Sequence, residues 1–299
     1  MSAKSNWGHS GYMSTTHTTD QQPVNQPRLG NPFPATPDID VLPTYWPVPG
    51  LGDLPMNAFV LRSAEPVVVD TGVALLADEF IDALADRLDL RRLRWIWLTH
   101  EDRDHTGALR RILELAPNAT VLGTFMTFGR AAPDGVLPFN RFRIVNPGDE
   151  VMVGDRRLRA IRPPLYDSPG TLGFIDLSTG AYVSSDCFGA PLPPELVTGA
   201  DTDHIDPELL RSAQVAWANA DSPWVAQADR AELRAQVTAV RRLDPSVLLS
   251  SHLPPVRSGI DHSLDSILAA REVDPAPAAA HDQIAALLAD FASEPAVMA

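Results

Sequence analysis

Residues 99–107 read Thr-His-Glu-Asp-Arg-Asp-His-Thr-Gly and follow directly on the apolar, aromatic run Leu93-Arg-Trp-Ile-Trp-Leu-Thr99. A short run of this kind bounded by polar residues is the pattern of a buried strand. Four side chains able to bind a metal, His100, Asp102, Asp104 and His105, therefore stand together where a rigid strand ends and a helix begins. In extended chain His100 and Asp102 point the same way and can address one ion. Asp104 and His105 turn into the helix and can address a second. The competing explanation is a solvated acidic loop whose carboxylates cap the helix, a common use of Asp.

The flanking sequence alternates short strands with helices. Strands are expected at 57–62, 66–70, 93–99, 142–145, 151–153, 157–161, 172–177, 181–185 and 246–250, and another begins at Val121. Helices are expected at about 75–88 and 106–115, through most of 190–242 with proline breaks, and at about 278–292. This order fits an α/β architecture of two packed sheets with helices on both outer faces.

The run His-x-Asp-x-Asp-His resembles the metallo-β-lactamase superfamily signature His-x-His-x-Asp-His, with Asp102 at the second His position. Flavodiiron proteins and the related oxygen-binding di-iron proteins carry a carboxylate there, usually Glu. The resemblance continues along the chain in the family's order. Pro164-Leu-Tyr-Asp-Ser-Pro-Gly170 puts Asp167 where a His ligand is usual, although an Asp before Ser-Pro-Gly is also an ordinary turn residue. Tyr182-Val-Ser-Ser-Asp186 supplies the bridging Asp, at a flavodiiron-like interval from Asp167, and Leu248-Leu-Ser-Ser-His252 supplies the last His. Asp70-Thr-Gly72 fits as well.

The resemblance covers about residues 40–270 and implies a metallo-β-lactamase-type αββα sandwich of two mixed β-sheets. It implies one metal on His100, Asp102 and Asp167, a second on Asp104, His105 and His252, and Asp186 bridging them. Four carboxylates then balance two divalent cations. Such a donor set suits iron, with manganese or zinc as the other candidates. Two function classes follow, because one fold hosts several chemistries. The first is a di-iron protein that binds or reduces dioxygen or a similar diatomic, as a redox enzyme or a sensor. The second is a metal-dependent hydrolase of an ester, thioester, lactone or phosphodiester, in which the metals activate a bridging hydroxide. The residues after 270 are too few for a flavodoxin-like domain, so electrons are expected from a separate electron-transfer protein; a homodimer is a further option.

Composition narrows the partners. A formal charge of −14 opposes nonspecific attraction to nucleic acid or anionic membranes. No apolar run approaches the roughly 18 residues of a membrane span, and the amino terminus is polar, so the expected location is cytoplasmic. The single cysteine, Cys187, permits no internal disulfide and no cysteine-held cluster, and its apolar flanks read as a buried thiol. Three segments are expected: a flexible polar arm at 1–36, with Met13 as an alternative start that would make 1–12 dispensable; a metallo-β-lactamase-like domain at 37–273; and a Pro/Ala-rich segment with a surface helix at 274–299. His204 and His262 read as surface residues, and Trp217 and Trp224 as core residues near the region that covers the cleft in related proteins.

Overall fold

In the computed structural model, which describes residues 26–135, 137–273 and 281–293, the short apolar runs pair into two sheets. The first contains β1 (Arg28–Leu29), β2 (Phe33–Thr36), β3 (Ile39–Val48), β4 (Gly52–Leu61), β5 (Val67–Val69), β6 (Trp95–Trp97), β7 (Thr120–Gly123) and β8 (Phe142–Ile144). Their order is β1-β3-β4-β5-β6-β7-β8, with β2 paired to β3. The second contains β9 (Glu150–Val153), β10 (Arg156–Ile161), β11 (Gly173–Asp176), β12 (Ala181–Val183) and β13 (Val247–Leu249), in the order β13-β12-β11-β10-β9. Both sheets are mixed: β5 to β8 run parallel and so do β12 and β13, while β3, β4 and β5 and the run from β9 to β12 pair antiparallel.

The helices are α1 (Ala77–Ala85), α2 (Arg103–Thr106), α3 (Leu109–Leu115), α4 (Phe125–Ala131), α5 (Pro194–Val197), α6 (Pro207–Asp221), α7 (Arg230–Arg241), α8 (Ile260–Ala270) and α9 (His281–Ser293). Strand alternation sorts the apolar side chains into three layers. Phe59, Val67, Val69 and Trp97 meet Val153, Leu158, Phe174, Val183 and Leu249 between the sheets. Val68 and Ile96 face the other way, onto Phe80 and Leu84 of α1 and Leu109 and Ile112 of α3. Tyr182 and Leu248 face Ala218 of α6, Val237 of α7 and Ile267 of α8. The architecture is an αββα sandwich, and among the described residues no helix is long and apolar enough to cross a membrane.

The structure corrects the reading at several places. The expected arm does not run to residue 36: β1 and β2 pair with β3, because Phe33 and Ala35 contribute to the layer between the sheets. Residues 1–25, with Met13, lie outside the described residues, as do 274–280 and 294–299. The ten residues of β3 escape the pattern because Pro43 and Pro47 interrupt it. The long helical stretch after residue 190 resolves into α5, α6 and α7 with irregular chain between them, and α4 was not anticipated.

One feature of the topology places the chemistry. Asp70, His100, Asp186 and His252 lie just beyond the carboxyl ends of β5, β6, β12 and β13, and Asp167 precedes β11, which is antiparallel to β12. All five therefore emerge from the same edge of the sandwich. There Gly107 donates its N–H to the Gly72 carbonyl at 2.8 Å, and any Cβ would collide with the backbone from Gly72 to Ala74.

Candidate metal centre

Each of the three histidines uses Nδ1 to fix its ring. His252 Nδ1 donates to the Pro55 carbonyl at 2.7 Å, and His105 Nδ1 lies 2.8 Å from Asp70 Oδ2. His100 Nδ1 lies 3.2 Å from Ser185 Oγ and 3.3 Å from Thr99 Oγ1. Every Nε2 is thereby left for the centre, an arrangement that fixes tautomer and ring orientation for a metal. The backbone is held in the left-handed region at Asp70 (φ 58°), Ser185 (φ 55°) and Phe188 (φ 73°), conformations that cost energy for residues other than glycine and cluster at functional sites.

The carboxylates close around these nitrogens. Asp186 Oδ2 is 3.4 Å from His100 Nε2, and its Oδ1 is 3.2 Å from His105 Nε2 and 3.3 Å from His252 Nε2. Asp104 Oδ2 lies 3.2 Å from His105 Nε2 and 3.5 Å from His252 Nε2. Asp167 and Asp102 approach His100 Nε2 to 3.6 and 4.0 Å. Ligand atoms of His100, Asp102 and Asp167 lie within 4.8 Å of one another, as do those of Asp104, His105 and His252, and those of His100, His105 and Asp186. The seven residues singled out in the sequence thus converge on one point, with Asp186 between the two groups.

Three of the converging atoms, His100 Nε2, His105 Nε2 and Asp186 Oδ1, are buried without a hydrogen-bond partner among the described residues. Such a group ordinarily costs about 1–3 kcal/mol, and nitrogen and oxygen lone pairs aimed together are what a cation removes from that cost. The electrostatics agree. Burial pushes the Asp186 carboxyl up, but the His100, His252 and His105 rings hold it well below the usual carboxylate range. Burial opposes charge on His252, yet Asp186 and Asp104 bring its imidazole to about 9. The centre calls for positive charge, which protons or metal ions can supply in competition. The residues present fit a pair of metal ions.

Residues outside the expected set hold this arrangement. Asp70 accepts hydrogen bonds from the Thr99 N–H and hydroxyl, both at 2.8 Å, in addition to its contact with His105. Glu101 accepts from Ser168 Oγ at 2.7 Å and from Arg130, which ties the Asp167 loop to the His100 loop. Trp217, expected in the core, donates its indole N–H to the Asp186 carbonyl at 3.0 Å and packs 5.0 Å from the His252 ring, centroid to centroid. Gly189 permits that contact, since a Cβ there would come within 2.5 Å of Trp217 Nε1. Asp221 was not anticipated either. Burial, Asp186 and Asp167 raise its carboxyl to about 7. His204 and His262 are exposed and Cys187 is buried.

The centre opens into a cleft of about 410 Å³. Trp46, Leu54, Met56 and Leu75 form an apolar wall, and the acidic groups and Trp217 form the floor.

Comparison with known proteins gives a matching picture. The family model of the metallo-β-lactamase superfamily matches residues 51–165. The anaerobic nitric oxide reductase flavorubredoxin of Vibrio vulnificus is 25% identical over 176 residues, 57% of this chain and 34% of that protein. The chain thus spans about a third of the length of that curated relative. Among solved structures, rubredoxin oxygen:oxidoreductase from Desulfovibrio gigas superposes with a TM-score of 0.68 at 15% identity, covering 81% of this chain and 61% of the other. The flavodiiron protein from Giardia intestinalis superposes with a TM-score of 0.69 at 17% identity, covering 83% and 60%.

Proposed function

For a chain that belongs to the metallo-β-lactamase superfamily, in its flavodiiron branch, we propose that the centre holds two irons and binds or reduces dioxygen or a similar diatomic, as a redox enzyme or a sensor. The observation that carries this reading is the donor set: three imidazoles and four carboxylates meet at one point, the histidines and Asp186 buried and Asp102 and Asp167 on the solvent side, with three of the atoms having no hydrogen-bond partner among the described residues. Oxygen-rich donors of this kind favour iron over a histidine-dominated zinc site, with manganese or zinc as substitutes. His100, Asp102 and Asp167 would hold one ion, Asp104, His105 and His252 the other, and Asp186 would bridge them. Bound iron would supply the electrons that a diatomic ligand accepts.

The protein's own contribution is position and exclusion of water. Asp70, Ser185 and Pro55 orient the three rings, and Trp217 covers His252 from the cleft side. Electrons would come from an electron-transfer partner. The relatives' own names, a nitric oxide reductase and an oxygen oxidoreductase, support the class of ligand.

The cleft favours a second reading. A volume of about 410 Å³ with an apolar wall admits a small organic molecule, as a metal-dependent hydrolase of an ester, thioester, lactone or phosphodiester would need. Elemental analysis of protein made in iron-supplemented medium, followed by visible spectra before and after exposure to air, separates the two. Two irons per chain and an oxygen-dependent charge-transfer band are expected; two zincs and a silent spectrum would sink the redox reading.

A further inference from the structure

Trp217 and Asp221 lie four residues apart on α6 and therefore share one helix face. Trp217 docks that face on the centre through the Asp186 carbonyl and the His252 ring. The next turn brings Asp221 over the cleft. There a carboxylate oxygen of Asp221 lies within 4.8 Å of those of Asp167 and Asp186. Its only hydrogen bond is from Ser222 Oγ, at 3.1 Å, and no arginine pairs with it among the described residues. The site is adverse for an unpaired anion on two counts: two other carboxylates adjoin it, and it ends a helix, where the backbone dipole is negative.

A separate atom points into the same space. His100 Nε2 is fully buried, has no hydrogen-bond partner among the described residues, and lies 3.4 Å from Asp186 Oδ2 and 3.6 Å from Asp167 Oδ2. Asp167 and Asp186 adjoin both His100 Nε2 and Asp221, so a cation beside them on that side of the centre has the imidazole nitrogen on one flank and the Asp221 carboxylate on the other.

We infer that Asp221 is a further ligand of the centre, supplying a carboxylate oxygen to the metal held by His100, Asp102 and Asp167. The inference rests on the reading of the centre as a two-metal site. It adds a fifth carboxylate from a helix that otherwise only covers the cleft, and it ties the position of α6 to the occupancy of that metal position. An Asn at 221 keeps the shape and can donate hydrogen bonds to Asp167, but it lacks the anionic oxygen that a metal prefers.

Metal-free full-length protein and its Asp221→Asn, Asp221→Ala and Asp221→Glu variants would be titrated without air with Co(II), against a competing chelator. The ligand-field absorption reports both occupancy and coordination number. Wild type is expected to take two ions. Asp221→Asn and Asp221→Ala are expected to hold one of the two at least about tenfold more weakly, with a changed absorption for that ion, while Asp221→Glu keeps both. If Asn matches wild type, whether or not Ala does, Asp221 is a hydrogen-bonding neighbour and the inference is overturned. Wild-type protein that takes up no Co(II) would overturn the reading of the centre itself, and the inference with it.

Discussion

Asp70 adopts φ 58° and gathers both Thr99 donors and the His105 ring on one carboxylate, so it orients the His100-to-His105 loop without facing the cleft. Asp70→Asn keeps the size and tolerates the left-handed backbone, yet one of its ends can no longer accept from His105. Chelator competition should record a loss of about 10–100-fold in affinity for the ion on Asp104, His105 and His252, and an unchanged affinity would refute the orienting role. Cys187 makes a second prediction at this scale. Burial pushes its thiol far up, so a maleimide should label native protein negligibly and label it fully only in denaturant. The candidate ligands were legible in the sequence because they lie in loops beyond strand ends, or open the helix behind one, in a recognisable order. Asp70 fitted that order, but its orienting role, like the roles of Trp217 and Asp221, arises from contacts across the fold that no local spacing records.

Among the elements, the join between the sheets depends on Arg156 at the start of β10. Its guanidinium, nearly buried, pairs with Asp176 at the end of β11 and with Asp38 in the turn between β2 and β3, and so links the two sheets. Removing one partner of a buried pair leaves the other uncompensated, and Arg156→Ala should lower stability by about 3–5 kcal/mol in urea denaturation. Arg156→Met together with Asp176→Asn should recover part of that loss. Burial raises the Asp38 carboxyl, but Thr36 and Arg156 hold it below its ordinary value overall. Its contribution is therefore present above about pH 4 and is lost as the pH falls through its lowered pKa. Most strands were visible as short apolar runs bounded by turns. β3 was hidden by its prolines, and β1 and β2 by the polar composition around them, because only Phe33 and Ala35 there add to the layer between the sheets and pairing with β3 supplies the rest.

For the whole molecule, any ion that binds the folded chain stabilises it by mass action, by about 2.7 kcal/mol at a hundred times the dissociation constant. Iron-loaded protein should therefore unfold several degrees above the same protein treated with chelator, and a thermal midpoint that does not respond to chelator would argue against a metal centre. The two-sheet, two-face order could be read from the sequence because successive apolar runs and helices alternate in it; the cleft volume and its apolar wall could not, since they depend on how distant loops meet. Every loop that brings a candidate ligand leaves one edge of the sandwich, while the turns at Gly154-Asp155 and Ser178–Gly180 leave the other. Variation can thus accumulate on the second edge without reaching the first. A fusion partner or an affinity tag attached at Ser178, exposed on that second edge, would stand away from the centre and leave its chemistry untouched.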